Sequence, residues 1–110
     1  MNKFQQKEIK KITKQIVKKY KPEKIILFGS FAFGRPKENS DIDLVVIKKT
    51  RKRFMKRLFE ICRCIKSWMG TDILVYTPKE WKEALTEENY FIKEIAQKGK
   101  VVYAKQQNKK

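Results

Sequence analysis

The chain has no histidine. That absence removes every mechanism that turns on an imidazole: serine and cysteine triads, phosphohistidine relays and most zinc hydrolases. Any general base must be a carboxylate, a lysine or a tyrosine. Cysteine is scarce too, with only Cys62 and Cys64. On a helix the C-x-C spacing turns the two thiols toward different faces. Without histidine or a second cysteine pair, no zinc site is expected; one thiol is expected to pack as a small hydrophobe and the other to stay free. Acids are few, 12 Asp and Glu against 28 Lys and Arg, for a net charge of +16. No apolar run is long enough for a membrane span. The segment from Met1 to Lys7 has no apolar stretch of the kind a secretory leader needs. The expectation is a cytoplasmic protein with no membrane partner. A G-x4-G-K-[ST] loop is missing, which argues against a γ-phosphate kinase or P-loop NTPase. Neither a helix-turn-helix nor an aromatic RNA-recognition motif is present, which argues against sequence-specific nucleic-acid binding. There is no internal repeat and no linker.

What is present suits one domain. The 110 residues are 41% hydrophobic, enough for a core without staples. The surplus positive charge favours polyanionic partners, whether nucleoside triphosphates, nucleic acid or an acidic protein. Its even spread along the chain equally fits a generally lysine-rich composition. We assign residues 1–104 to the domain and 105–110 to a basic, disordered tail.

Hydrophobic spacing supplies the elements. Ile9, Ile12, Ile16 and Tyr20 recur at helical intervals among lysines, and Pro22 ends that helix. Lys24–Phe28 reads as a strand closed by Gly29-Ser30. Residues 30–34 read as a helical turn and 35–39 as a polar loop. Asp43–Ile47 is a second strand. Thr50 is the expected cap of a helix with the stripe Phe54, Leu58, Ile61, Ile65 and Trp68, stopped by Gly70. Asp72–Tyr76 is a third strand. Thr77-Pro78-Lys79-Glu80 reads as a capping box with proline at the first helical position, opening a helix that runs through Trp81 to Leu85. Thr86 is the expected cap of a last helix with Phe91, Ile92, Ile95 and Ala96 inward and Gly99 at its end. Lys100–Tyr103 is the final strand. The order αβ(turn)βαβααβ predicts an α/β (α+β) two-layer fold, a mixed sheet of about four strands with helices mainly on one face.

The chemistry concentrates in residues 29–43, which read G-S-x3-G-x5-S-D-x-D between two strands. Gly29 lets a backbone turn approach a phosphate closely, and the N–H groups at the head of the next turn attract it. Ser30 adds a hydroxyl. Asp41 and Asp43, two apart at a strand start, project to one side. Paired carboxylates repel each other, and a divalent cation between them relieves this; magnesium prefers such carboxylate and phosphate oxygens. Ser40 and Asp41 are also common turn residues, but Asp43 within an apolar strand needs a further reason. Asp72 opens the third strand, where it can face the pair, as a third metal ligand and as the base for an acceptor hydroxyl, or else as an ordinary solvent-facing acid. Such a site suits attack of a hydroxyl on the α-phosphorus of a nucleoside triphosphate.

At these residues the chain resembles the minimal nucleotidyltransferase family of the DNA polymerase β superfamily. The pattern there is a Gly-Ser turn, D-x-D on the next strand and an Asp on a later strand, matched by Gly29, Ser30, Asp41, Asp43 and Asp72. The resemblance implies a sheet covered by helices and magnesium-dependent nucleotidyl transfer, with one or two ions. It implies catalytic and metal-binding roles for Asp41, Asp43 and Asp72, and a nucleotide-binding set of Gly29, Ser30, Gly34, Arg35 and Ser40. Many members are antitoxins that transfer AMP from ATP to a tyrosine of a HEPN-type ribonuclease toxin, so ATP and such a toxin are the implied partners. RNA is the alternative acceptor, and a non-catalytic partner-binding role the second alternative. Members often carry Arg just before the second glycine. Here that position is Phe33 and Arg35 follows Gly34, so either Arg35 takes over that role or transfer is slower. With no separate acceptor domain, the acceptor is expected to bring its own surface, or the protein to form homo-oligomers. Trp81, Tyr90 and Phe91 are the candidates for an exposed docking patch, with burial in the core as the alternative.

Overall fold

Four strands form one mixed sheet in the computed structural model, which describes residues 1–106. They are β1 (Lys24–Phe28), β2 (Ile42–Ile47), β3 (Thr71–Tyr76) and β4 (Lys100–Ala104). The sheet order is β3-β2-β1-β4. Strand β1 runs antiparallel to β2 and β4, whereas β2 and β3 are parallel. The parallel pair needs a crossover, supplied by α3 (Phe54–Cys62). Alternation along the strands sorts their side chains onto two faces. Ile25, Leu27, Ile42, Leu44 and Val46 pack with Ile9, Ile12 and Ile16 of α1 (Lys3–Tyr20) and Ile61 of α3. Ile26, Val45 and Ile47 face the other way. There they meet α4 (Pro78–Thr86) and α5 (Tyr90–Lys98) through Trp81, Leu85, Ile92 and Ile95. The first core is the larger, but α4 and α5 clothe the second face, so helices cover both faces of the sheet. Each fully buried isoleucine there contributes roughly 2 kcal/mol.

The one-turn helix α2 (Ser30–Phe33) follows β1 directly. Helix α1 reaches back to Lys3 because Asn2 and Gln5 form a reciprocal capping box. It ends at Lys21, whose left-handed backbone (φ 55°) sends its N–H to the Ile16 carbonyl before Pro22 breaks the chain's helical path. The predicted box at Thr77 and Glu80 is present, with Pro78 in the first helical turn.

The caps, ends and inward faces of α3 and α5 differ in part from the sequence expectation. Thr50 does not cap α3: Arg53 holds that position, and the Thr50 hydroxyl accepts the Lys52 N–H instead. The helix ends at Cys62, well before Gly70; its buried side chains are Arg57 and Ile61, while Phe54 and Trp68 are exposed. Helix α5 is capped by Asn89 rather than Thr86, which bonds back to Glu83. Its inward residues are Ile92 and Ile95, while Phe91 and Ala96 face solvent. Cys64 is buried and Cys62 exposed, and both are free. Lys105 still donates its N–H to the Glu23 carbonyl at 2.8 Å. Residues 107–110 of the expected tail lie outside the described residues. No helix among the described residues is long and apolar enough to cross a membrane.

Candidate active site

The antiparallel turn from β1 to β2 brings the end of β1 level with the start of β2, and the parallel pairing sets the start of β3 beside it. Phe28 therefore pairs with Asp43, and Asp43 with Asp72. Both acids fall on the α4–α5 side of the sheet, in line with Val45 and Leu74, but at the edge where neither helix covers them. Asp43 is half-buried; Asp41, just before β2, and Asp72 are exposed.

Two glycines make room for the carboxylates. Gly29 has φ 72°, and a Cβ there would run into the Asp43 carboxylate. Any side chain would be strained by the backbone and blocked by Asp43 as well. Gly70 plays the same part for Asp41, whose carboxylate lies where a Cβ on Gly70 would sit. The Ile42 N–H donates to the Gly70 carbonyl at 2.9 Å, fixing this approach. Gly70 was expected to stop a helix; its role beside Asp41 was missed. The sequence signal was its place just ahead of the strand that carries the third acid.

The remaining residues of the motif divide into two groups. Ser30 opens α2, and its carbonyl accepts the Gly34 N–H at 3.2 Å. A Cβ on Gly34 would lie 2.8 Å from the Ser30 Cα, so the second glycine lets the turn close on itself. Helix α2 has one turn, so its dipole is small. What the turn could offer an anion is its local N–H groups and the Ser30 hydroxyl. Ser40 is spoken for within the loop: its hydroxyl accepts the Lys37 N–H at 2.7 Å. Arg35 is exposed, free to reach a phosphate. Phe33 is exposed as well, with the Lys98 ammonium 5.8 Å from its ring centre.

Electrostatics single out Asp43. Burial, then the charge of Asp72, then that of Asp41 push its carboxyl up to about 6, and a hydrogen bond with the Asp72 carboxyl adds to this. Three acids crowd one edge of a molecule whose net charge is +16. Such a carboxylate set fits a hard divalent cation in donor type, and a cation would relieve the repulsion that raises Asp43. The three do not yet converge: no cluster of three acidic or thiol side chains among the described residues surrounds a common metal position. Asp43 and Asp72 are assembled, and Asp41 would join them by turning away from Gly70.

An apolar shelf flanks the acids. Phe28, the cross-strand partner of Asp43, meets Phe91 edge-on with ring centroids 5.8 Å apart. Phe91 and its neighbour Tyr90 are 51% and 78% exposed at the head of α5. Trp81, the third candidate for a docking patch, is half-buried against Tyr76.

Comparison with known proteins agrees with this arrangement. Residues 10–108 match the family described as polymerase beta, nucleotidyltransferase. The structure is similar to the 1.40 Å crystal structure of a proposed nucleotidyltransferase from Sulfolobus solfataricus. The two share 21% sequence identity over 89% of this chain and 78% of the other, with a TM-score of 0.64. At that identity the likeness speaks for the fold. The search of curated proteins returned no match.

Proposed function

This chain belongs to the polymerase beta nucleotidyltransferase family, and from that premise we propose that it transfers AMP from ATP, with magnesium, to a hydroxyl on a partner protein. The observation that carries the reading is the in-register pairing of Asp43 with Asp72 beside the Gly29 turn. Phosphate binding and oxygen ligands for a metal thereby meet at one sheet edge.

The chain's own groups divide the work. The Gly29 turn leaves space for the triphosphate, and the Ser30 hydroxyl and Arg35 guanidinium donate to its oxygens. Asp41, Asp43 and Asp72 would hold magnesium, which when bound lowers the cost of deprotonating the acceptor and offsets charge on the leaving pyrophosphate. Asp72, the more exposed of the in-register pair, accepts the acceptor's proton. The acceptor oxygen bonds to the α-phosphorus as the bond to the bridging oxygen breaks and pyrophosphate departs. Tyr90 and Phe91 give the acceptor protein an apolar landing place beside the acids. In keeping with the motif's resemblance, the acceptor we propose is a tyrosine of a HEPN-type ribonuclease toxin, with this chain as its antitoxin.

The test is label transfer from α-labelled ATP into host extract with magnesium, beside the Asp41→Asn/Asp43→Asn variant. A labelled band removed by protease and missing with the variant is expected. A band removed by RNase would transfer the reading to an RNA acceptor. Labelling unchanged in the variant would sink the proposed catalytic roles.

A further inference from the structure

The outer face of α1 carries a charge pattern that nucleotidyl transfer does not use. Lys3, Lys7, Lys10, Lys11, Lys14 and Lys18 are all exposed. At 100° per residue they fall within about 100° of the helix circumference, opposite the Ile9–Ile12–Ile16 stripe that faces the sheet. A helical rise of 1.5 Å puts Lys18 about 22 Å from Lys3. A shallow groove runs along this row, bounded by Lys7, Lys10, Lys14 and Lys18. The sole acid of α1 is Glu8, which is 6% exposed and bonds to the Ser67 hydroxyl. Among the described residues the row has one ion pair, Lys11 to Glu8 at 3.9 Å. Like charges three and four apart on a helix repel, so the row is electrostatically costly without an anion laid along it.

Aromatic residues stand at one end. Phe4 is 75% exposed and Trp68 66%, and both line one cleft with Asn2, Gln5 and Glu38. Polar residues on α1 fix this end. The Gln5 amide donates to the Lys37 carbonyl at 3.2 Å. Gln15 exchanges two hydrogen bonds with the backbone of Lys66. Glu8 holds Ser67, the neighbour of Trp68. A line of cations at 5–6 Å intervals ending in two exposed rings matches a chain of phosphates carrying stackable bases. An acidic protein would need the lysines but not the rings. A membrane surface would not need the lysines in a single row.

We propose that α1 and Trp68 form a binding surface for a single-stranded polynucleotide, its phosphates along the lysine row and its bases on Phe4 and Trp68. The surface is independent of the transfer reaction.

The test is fluorescence anisotropy of a labelled 12-nucleotide oligoadenylate across a salt series. With about four phosphates engaged, affinity should fall about fifty-fold between 50 and 200 mM salt. Lys7→Gln/Lys10→Gln/Lys14→Gln/Lys18→Gln should weaken binding at least tenfold and flatten the salt slope. Glutamine keeps helix propensity, and circular dichroism checks the fold. Lys49→Gln/Lys79→Gln/Lys82→Gln/Lys100→Gln removes the same charge elsewhere and should change affinity less than threefold. Phe4→Ala and Trp68→Ala should each cost about tenfold with the slope kept. The Asp41→Asn/Asp43→Asn variant should bind normally, so this reading and the transfer reading fail separately. Deoxyoligoadenylate binding equally well would name DNA as an equal source and leave the proposal standing. Equal loss in the two lysine variants would overturn it, as would indifference to both aromatic substitutions. Tighter binding of polyglutamate or of phosphatidylserine vesicles would also overturn it, in favour of an acidic protein or a membrane surface.

Discussion

Asp43 is held where it stands at a cost to the fold. Its carboxyl is pushed up to about 6 by burial and by its acidic neighbours. A carboxyl whose folded value is raised above its unfolded one stabilises the fold below the usual carboxylate range. That contribution is lost as pH rises through about 6. The metal-free protein should therefore lose stability between about pH 4 and 6, and Asp43→Asn should remove that part of the profile. Half-exposed as it is, Asp43 should be worth about 1 kcal/mol at neutral pH after solvent screening. The variant should then melt about 4 °C higher than wild type in chelator at pH 7.5. Added magnesium should reverse the order by stabilising only the wild type. A variant that melts lower in chelator would show that Asp43 is held by favourable contacts instead. Gly29 answers to the same geometry. Gly29→Ala imposes a side chain on a positive φ and on the Asp43 carboxylate. It should cost about 2 kcal/mol of stability and abolish label transfer.

Helix α3 shows why some elements could be read from the sequence and others could not. The strands were legible because short apolar runs were bounded by Pro22, Gly29, Asp41, Gly70 and Pro78, residues that break or turn a chain locally. The box at Thr77 was legible because its two partners sit three residues apart. For α3 the apolar stripe was legible only in part: Ile61 is buried and Leu58 and Ile65 pack against the core, but a further inward position belongs to Arg57. Its guanidinium forks onto Glu80 at 2.7 and 3.2 Å and donates to the Lys52 and Val75 carbonyls. These partners lie on three separate segments, and no periodicity within α3 could announce them. Asn89 outcompeted Thr86 as a cap because the chain remains non-helical through Glu87 and Glu88. At the site, the spacing of Asp41 and Asp43 was local and legible, while the place of Gly70 against Asp41 depends on sheet pairing. Arg57 ties α3, β3 and α4 together, so Arg57→Ala should cost about 3 kcal/mol by leaving buried carbonyls and Glu80 without their partner. That is a fall in Tm of about 12 °C. Glu80 is held below the usual carboxylate range, first by its hydrogen bond from Arg57. Its stabilisation is present above that range and lost as pH falls through it, so the variant should also be less sensitive to acid. An unchanged melting profile would remove the clamp from the account of this fold.

Across the whole molecule, charge and apolar surface are placed differently. The net charge of +16 favours encounter with a nucleoside triphosphate at low salt, but charge alone does not choose an acceptor. Choice needs a shaped contact, and in the proposed reaction that contact is the shelf of Tyr90 and Phe91 beside the acids. Exposed rings next to a reacting centre suit a partner's apolar surface, because desolvation there adds affinity without competing for the phosphates. A Tyr90→Ser/Phe91→Ser protein should keep its fold, since both rings are more than half exposed; its Tm should fall by less than about 4 °C for the lost edge contact with Phe28. Its affinity for ATP should be unchanged, and its kcat/KM for a protein acceptor should drop about tenfold, the loss of roughly 1.4 kcal/mol of contact. If ATP affinity falls by the same factor instead, the shelf stacks the nucleotide base and the acceptor docks elsewhere. If neither changes, the two rings take no part in the reaction.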